Sequence, residues 1–187
     1  MPRPIAHSLE ALCLRSRTPE ESRSFAAALG RVFREIAVDA GLVVSLRGEL
    51  GAGKTVFVKG LAEGLGLDPG LVSSPTFVLA NEYPAASACI LHHVDLYRLE
   101  GPAELETMGF FDLPGPGALV AVEWGDRFAD QMPTDRLDVH IVRERIEAPA
   151  ACGLNDPGER LLEARATGPR AARVLEAWRA TLRTAGH

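Results

Sequence analysis

Gly48-Glu49-Leu50-Gly51-Ala52-Gly53-Lys54-Thr55 sets glycines, an ammonium and a hydroxyl in the order G-x-x-x-x-G-K-[ST]. Glycines let a backbone curl until its N–H groups face inward, which makes a cradle for phosphate oxygens. A helix starting at Lys54 adds its positive N-terminal end to the same place. In that geometry Lys54 bridges the β- and γ-phosphates of a nucleotide, and the Thr55 hydroxyl ligates Mg²⁺. A glycine-rich turn that binds nothing would not require Lys and Thr at those two positions.

Mg²⁺ beside a triphosphate needs carboxylate help, usually from the end of a neighbouring strand. Two acids fit. Glu123 follows the apolar run Leu119 to Val122, and Asp95 ends the run Cys89 to Val94. Glu123 is expected on the metal side, directly or through water. Asp95 is expected to orient the attacking water or to hold the Mg²⁺ shell, although the two roles could be exchanged. Lys54, Asp95 and Glu123 are thus the expected catalytic set. Ser73-Ser74-Pro75-Thr76-Phe77 offers hydroxyls beside a rigid proline, which suits a sensor of the γ-phosphate, and Thr76 is expected at the nucleotide. His92 and His93 are adjacent on a strand and point to opposite faces, so they cannot join Asp95 on one transition metal. A hydrogen-bonding role suits His93.

The elements that must position these groups read as follows. Thr18-Pro19-Glu20-Glu21 is a helix start, and Phe25, Leu29, Val32, Phe33 and Ile36 recur at helical spacing, with Gly41 closing the helix. Leu42 to Leu46 is a buried strand leading into the glycine-rich loop. Val56 to Leu65 continues as a helix with Phe57, Leu61 and Leu65 on one face. Asp68-Pro69-Gly70 is a turn. Thr76 to Tyr83 and Cys89 to Asp95 read as strands, Pro102 to Met108 as a short helix, and Ala118 to Val122 as a central strand. Leu137 to Val142 alternates like a strand. Residues 146–158 read as a loop, Arg160 to Ala166 as a last strand, and Pro169 to Leu182 as a helix. An edge strand is expected near Ala11 to Arg15. The order is mixed α/β.

With 187 residues the chain is expected to form one domain, its core spanning about 18–142 and a C-terminal strand and helix filling 143–187. The formal net charge is −5 and the only lysines are Lys54 and Lys59, so a chain that grips RNA by itself is not indicated. Cys13, Cys89 and Cys152 are few and far apart, which argues against a disulfide framework or a cysteine zinc site. No apolar run reaches the roughly 20 residues of a membrane span, and the N-terminus lacks the apolar core of a signal peptide. A cytoplasmic protein without membrane contact is expected.

Taken together, five segments resemble the TsaE (YjeE) family, the ATPase component of bacterial threonylcarbamoyladenosine synthesis in tRNA. They are the loop at 48–55, Ser74-Pro75-Thr76-Phe77, His93-x-Asp95-Leu96-Tyr97-Arg98, Pro102-x-Glu104-Leu105-Glu106-x-Met108-Gly109, and Val122-Glu123-Trp124. The resemblance runs from about Thr18 to Val142. It implies an α/β, P-loop NTPase-like three-layer fold with a mixed, mainly parallel central sheet. It implies weak ATP hydrolysis by the lone subunit and association with TsaD and TsaB, tRNA being reached only through that complex. Carried onto this chain, Thr55 and Glu123 match the family's Mg²⁺ positions. Gly51, Ala52, Gly53, Lys54, Thr55 and Val56 match its phosphate cradle. Asp95 and Trp124 match other active-site positions, and Glu21 matches a region close to the nucleotide. Val56 stands where many members carry a second threonine, so a hydroxyl contact is missing there.

Three other readings compete. Asp112-Leu113-Pro114-Gly115 spells D-x-x-G, a GTPase switch, but it follows no apolar strand, and a guanine reader of the N-K-x-D type is absent. A P-loop small-molecule kinase would need an arginine-rich lid, for which Arg127, Arg136, Arg143 and Arg145 are available, although a solvated face explains them too. A nucleotide-dependent assembly switch, whose product is a conformation, overlaps with the family reading.

Overall fold

The computed structural model describes residues 11–37, 39–76, 78–85, 88–143 and 159–186. These form β1 (Leu12–Ser16), α1 (Pro19–Ile36), β2 (Leu42–Arg47), α2 (Lys54–Gly64), β3 (Ala80–Pro84), β4 (Ile90–Asp95), α3 (Pro102–Thr107), β5 (Ala118–Glu123), β6 (Leu137–Arg143), β7 (Arg160–Ala166) and α4 (Pro169–Thr184). One seven-stranded sheet runs in the order β1-β7-β6-β2-β5-β4-β3. Its centre, β6-β2-β5-β4, is parallel, while β3, β7 and β1 add antiparallel pairings at the margins.

Parallel strands covered on both faces must be apolar on both faces. Accordingly Leu42, Val44 and Leu46 of β2 join the core beneath α1, α2 and α4, whereas Val43 joins a smaller core with Leu105 of α3 and Phe110 and Phe128 of two 3-10 turns. The result is three layers, with the heavier helical layer on the face that carries α2. Residues such as Phe57 and Leu61 anchor α2 there, both fully buried. A Cβ on Gly60 would lie 2.2 Å from the Arg23 carbonyl, so the glycine lets α1 and α2 touch backbone to backbone.

The start of α1 is built as its residues dictate. The Thr18 hydroxyl accepts the Glu21 N–H at 3.2 Å, Pro19 opens the helix, and the Glu21 carboxylate accepts the Arg17 N–H at 2.7 Å. The helix ends at Ile36, earlier than expected, and Ile36 is exposed rather than part of the buried stripe. Gly41 still serves as a left-handed turn residue, with φ 69°, but it turns the chain into β2 after the helix has ended.

A second correction concerns Thr76, Val78 and Leu79. The Val78 and Leu79 N–H groups both donate to the Pro75 carbonyl, at 2.9 and 2.7 Å, so this stretch is a tight turn and β3 starts only at Ala80. The C-terminal segment is integral to the fold. β7 lies between β1 and β6, and α4 buries Leu175, Trp178 and Leu182. The Trp178 indole donates to the Phe25 carbonyl at 2.9 Å and meets the Phe57 ring edge-on. Cys152, Arg145 and the loop expected over 146–158 lie outside the described residues.

Candidate active site

The glycine-rich loop leaves the end of β2 and feeds α2. Gly48 has φ 150°, and a Cβ there would lie 2.4 Å from the Ile141 carbonyl. Gly53, with φ 112° and ψ 19°, is the residue before the helix. Positive φ at both favours glycine on backbone grounds alone. The Ala52 N–H folds back to the Glu49 carbonyl at 3.1 Å, and the Phe57 N–H takes the Gly53 carbonyl at 3.0 Å. The N–H groups of Lys54, Thr55 and Val56 therefore belong to the unpaired first turn of α2, which is where an anion is drawn.

Lys54 is nearly buried. Its ammonium donates to the Gly48 and Glu49 carbonyls at 2.8 and 3.0 Å and sits 3.7 Å from the centre of the Trp124 ring. Burial lowers its pKa from the usual 10.5, while the negative charges of Glu123, Asp95 and Asp126 pull the other way. Trp124 has φ 62°, unusual for a bulky residue, and packs against Tyr97 at 5.2 Å. Its N–H donates to the Leu46 carbonyl at 2.9 Å, which ties the turn after β5 to the end of β2.

Both expected acids lie at the carboxyl edge of the parallel strands, side by side in register as Asp95↔Glu123. The Glu123 Oε1 accepts the Thr55 hydroxyl at 2.8 Å and lies 2.8 Å from Nε2 of the fully buried His93. Asp95 is held differently. Its Oδ2 accepts hydroxyls from Ser74 at 3.0 Å and Thr76 at 2.6 Å, and its Oδ1 accepts the Tyr97 N–H at 3.0 Å. Thr76 thus reaches the site through Asp95. A carboxylate beside a hydroxyl at a helix N-terminus is a hard-oxygen set of the kind that suits Mg²⁺.

The structure therefore gathers Gly51 to Val56, Thr76, Asp95, Glu123 and Trp124 around one edge of the sheet. Glu21 makes its described contacts at the start of α1. It bonds Arg17 and lines a separate cavity of about 350 Å³ whose described lining is Cys13, Leu14, Arg15, Arg17, Phe25 and Gly186. His92 points away from His93, towards Glu82 at 3.7 Å. Asp112 is exposed in a 3-10 turn after α3, away from a strand end. Arg127, considered above for a lid, donates to the Leu96, Tyr97 and Leu99 carbonyls and so clamps the loop after β4, while Arg136 pairs with Asp138. Tyr97 and Arg160 were not singled out for the site from sequence. Arg160 approaches the loop from β7 and donates to the Ala52 carbonyl at 3.2 Å.

Sheet order, loop and flanking helix define an α/β protein of the P-loop NTPase-like class. The crystal structure of YdiB from Bacillus subtilis is similar to it, with a TM-score of 0.67 and 30% identity over 94% of this chain and 98% of that one. The chain belongs to the TsaE family: the sequence model described as "Threonylcarbamoyl adenosine biosynthesis protein TsaE" matches residues 16–149. Relatives named "tRNA threonylcarbamoyladenosine biosynthesis protein TsaE" include that of Bacillus subtilis, 36% identical over 72% of this chain and 80% of its own length. That of Streptomyces coelicolor is 43% identical over 62% of this chain and 77% of its own length. No helix among the described residues is long and apolar enough to cross a membrane.

Proposed function

We propose that this chain is the Mg²⁺-dependent, ATP-hydrolysing subunit that acts in the cytoplasm with TsaD- and TsaB-type proteins in threonylcarbamoyl modification of the tRNA adenosine beside the anticodon. The 2.8 Å contact between Thr55 and Glu123, next to a complete phosphate loop, carries this reading. The family membership supplies the pathway.

The residues divide the work by their chemistry. Lys54 exchanges its carbonyl partners for phosphate oxygens, because a charge-assisted bond to an anion is stronger than one to a neutral carbonyl. Thr55 and Glu123 would hold Mg²⁺, which when bound neutralises charge on the β- and γ-phosphates. Asp95, fixed by three donors, offers its remaining lone pairs to orient a water towards the γ-phosphate. The net charge of −5 suits a subunit that leaves the tRNA to its partners.

Reconstitution with TsaD- and TsaB-type proteins, tRNA, threonylcarbamoyl-adenylate and ATP tests the proposal. Modification beyond one turnover is expected to require this chain, and Asp95→Asn, still binding ATP, is expected not to support it. Equal multiple-turnover modification without the chain contradicts the reading.

A further inference from the structure

We propose that Arg160 is a positioning residue of the phosphate loop, which aims the Gly53 N–H into the anion cradle by holding the Ala52 carbonyl on the other side. The proposal rests on the nucleotide reading above. It concerns a residue beyond the 16–149 segment that the family model matches.

Arg160 opens β7 and is only 7% exposed, unusual for an arginine. Its Nε donates to the Ala52 carbonyl at 3.2 Å, and a Cβ built on Gly53 would lie 3.4 Å from that same nitrogen. The guanidinium stem therefore lies directly against the Ala52–Gly53 peptide. A trans peptide is planar, with its C=O and N–H pointing in opposite directions. Pinning the Ala52 carbonyl to Arg160 turns the Gly53 N–H the other way.

The neighbouring groups leave that N–H free to be aimed, beside the unpaired N–H groups of the first turn of α2. The Ala52 N–H is taken by the Glu49 carbonyl and the Gly53 carbonyl by the Phe57 N–H. Among the described residues the Gly53 N–H has no acceptor. Gly53, like any glycine, does little to fix its own backbone, since glycine visits φ near 112° and many other conformations readily. A buried guanidinium bond fixes a conformation that the residue would otherwise leave. A residue that acts by preorganising donors should change the affinity for any ligand carrying a β-phosphate.

The test uses the purified full chain, Mg-ADP titration calorimetry and ¹H–¹⁵N spectra of the loop glycines. Arg160→Met is expected to bind Mg-ADP about 10- to 100-fold more weakly, the range for losing one hydrogen bond to a charged group. At saturating ADP the Gly53 amide is expected to shift downfield in the parent chain, and that shift should shrink in Arg160→Met, while that of Thr55 persists. Arg160→Gln, too short to reach Ala52, should behave alike and serves if the methionine variant does not fold. Parent-like ADP affinity in either folded variant overturns the proposal. Weaker affinity with an unchanged Gly53 shift at saturation also overturns it, because Arg160 would then touch the nucleotide itself. An unmoved Gly53 amide in the parent chain at saturation overturns it without any variant. Failure of the parent chain to bind Mg-ADP would instead remove the nucleotide reading.

Discussion

The hydroxyl of Thr55 and the carboxylate of Glu123 meet at 2.8 Å, joining the first turn of α2 to the end of β5. The same Oε1 lies 2.8 Å from His93 Nε2, so one oxygen of Glu123 takes both partners. Among the described residues the other oxygen carries no hydrogen bond, which leaves it for a cation or a cation-bound water. Glu123→Gln keeps the shape and removes the charge. ATP affinity measured across a Mg²⁺ series should lose most of its Mg²⁺ dependence, a loss of roughly 10- to 100-fold at saturating metal. An unchanged dependence would assign Glu123 a structural role.

Lys54 is partly desolvated, and burial holds its pKa below that of an ordinary lysine. Removing such a charge relieves a cost as well as losing two carbonyl bonds. Lys54→Met should therefore keep its melting temperature within about 4 °C, equivalent to roughly 1 kcal/mol. It should lose nucleotide affinity by about 100-fold or more, since a buried charge–phosphate contact is among the strong ones. A large fall in stability with unchanged affinity would reverse this assignment.

Trp124 carries the Lys54 ammonium 3.7 Å from its ring centre, whereas Trp178, the only other tryptophan, is fully buried between α1 and α2. Movement of Lys54 onto phosphate should change the emission of Trp124 and leave Trp178 silent. Titrating Mg-ATP should alter fluorescence in the parent chain and in Trp178→Phe, but not in Trp124→Phe. A nucleotide signal that survives Trp124→Phe would break the link between the ring and the ammonium.

Two histidines set an acid limit. Burial lowers the pKa of His92, against the pull of Glu82, and burial with Arg47 lowers that of His140, both from the usual 6.5. Well above 6.5 both are neutral whether the chain is folded or not. As pH falls below 6.5 the unfolded chain takes up protons that the folded chain resists, so stability declines towards the lowered folded values. Urea midpoints at about pH 7.5 and about pH 5.5 should differ less in the double variant His92→Gln, His140→Gln than in the parent. An equal or larger acid loss in the double variant would place the effect in other groups.

Local signals made the loop legible: Gly48, Gly53, Lys54 and Thr55 stand at fixed spacing, and an apolar strand and helix flank them. Glu123 and Asp95 were legible as acids at strand ends, and sheet register brought them side by side. Thr76, Val78 and Leu79 read as strand from sequence because apolar Val78 and Leu79 hide a turn closed on the Pro75 carbonyl. Arg160 touches Ala52 across 108 positions, and no spacing rule spans that distance. Resemblance alone points Glu21 towards the nucleotide, and its described bond is the one to the Arg17 N–H at the start of α1.

Titration calorimetry of the purified chain with ATP, in the presence and absence of Mg²⁺, tests the phosphate loop most directly. Saturable binding that strengthens with Mg²⁺ and weakens about 100-fold or more in Lys54→Met is predicted. Folded parent protein with no heat of binding for ATP, alone or mixed with TsaD- and TsaB-type proteins, would contradict it.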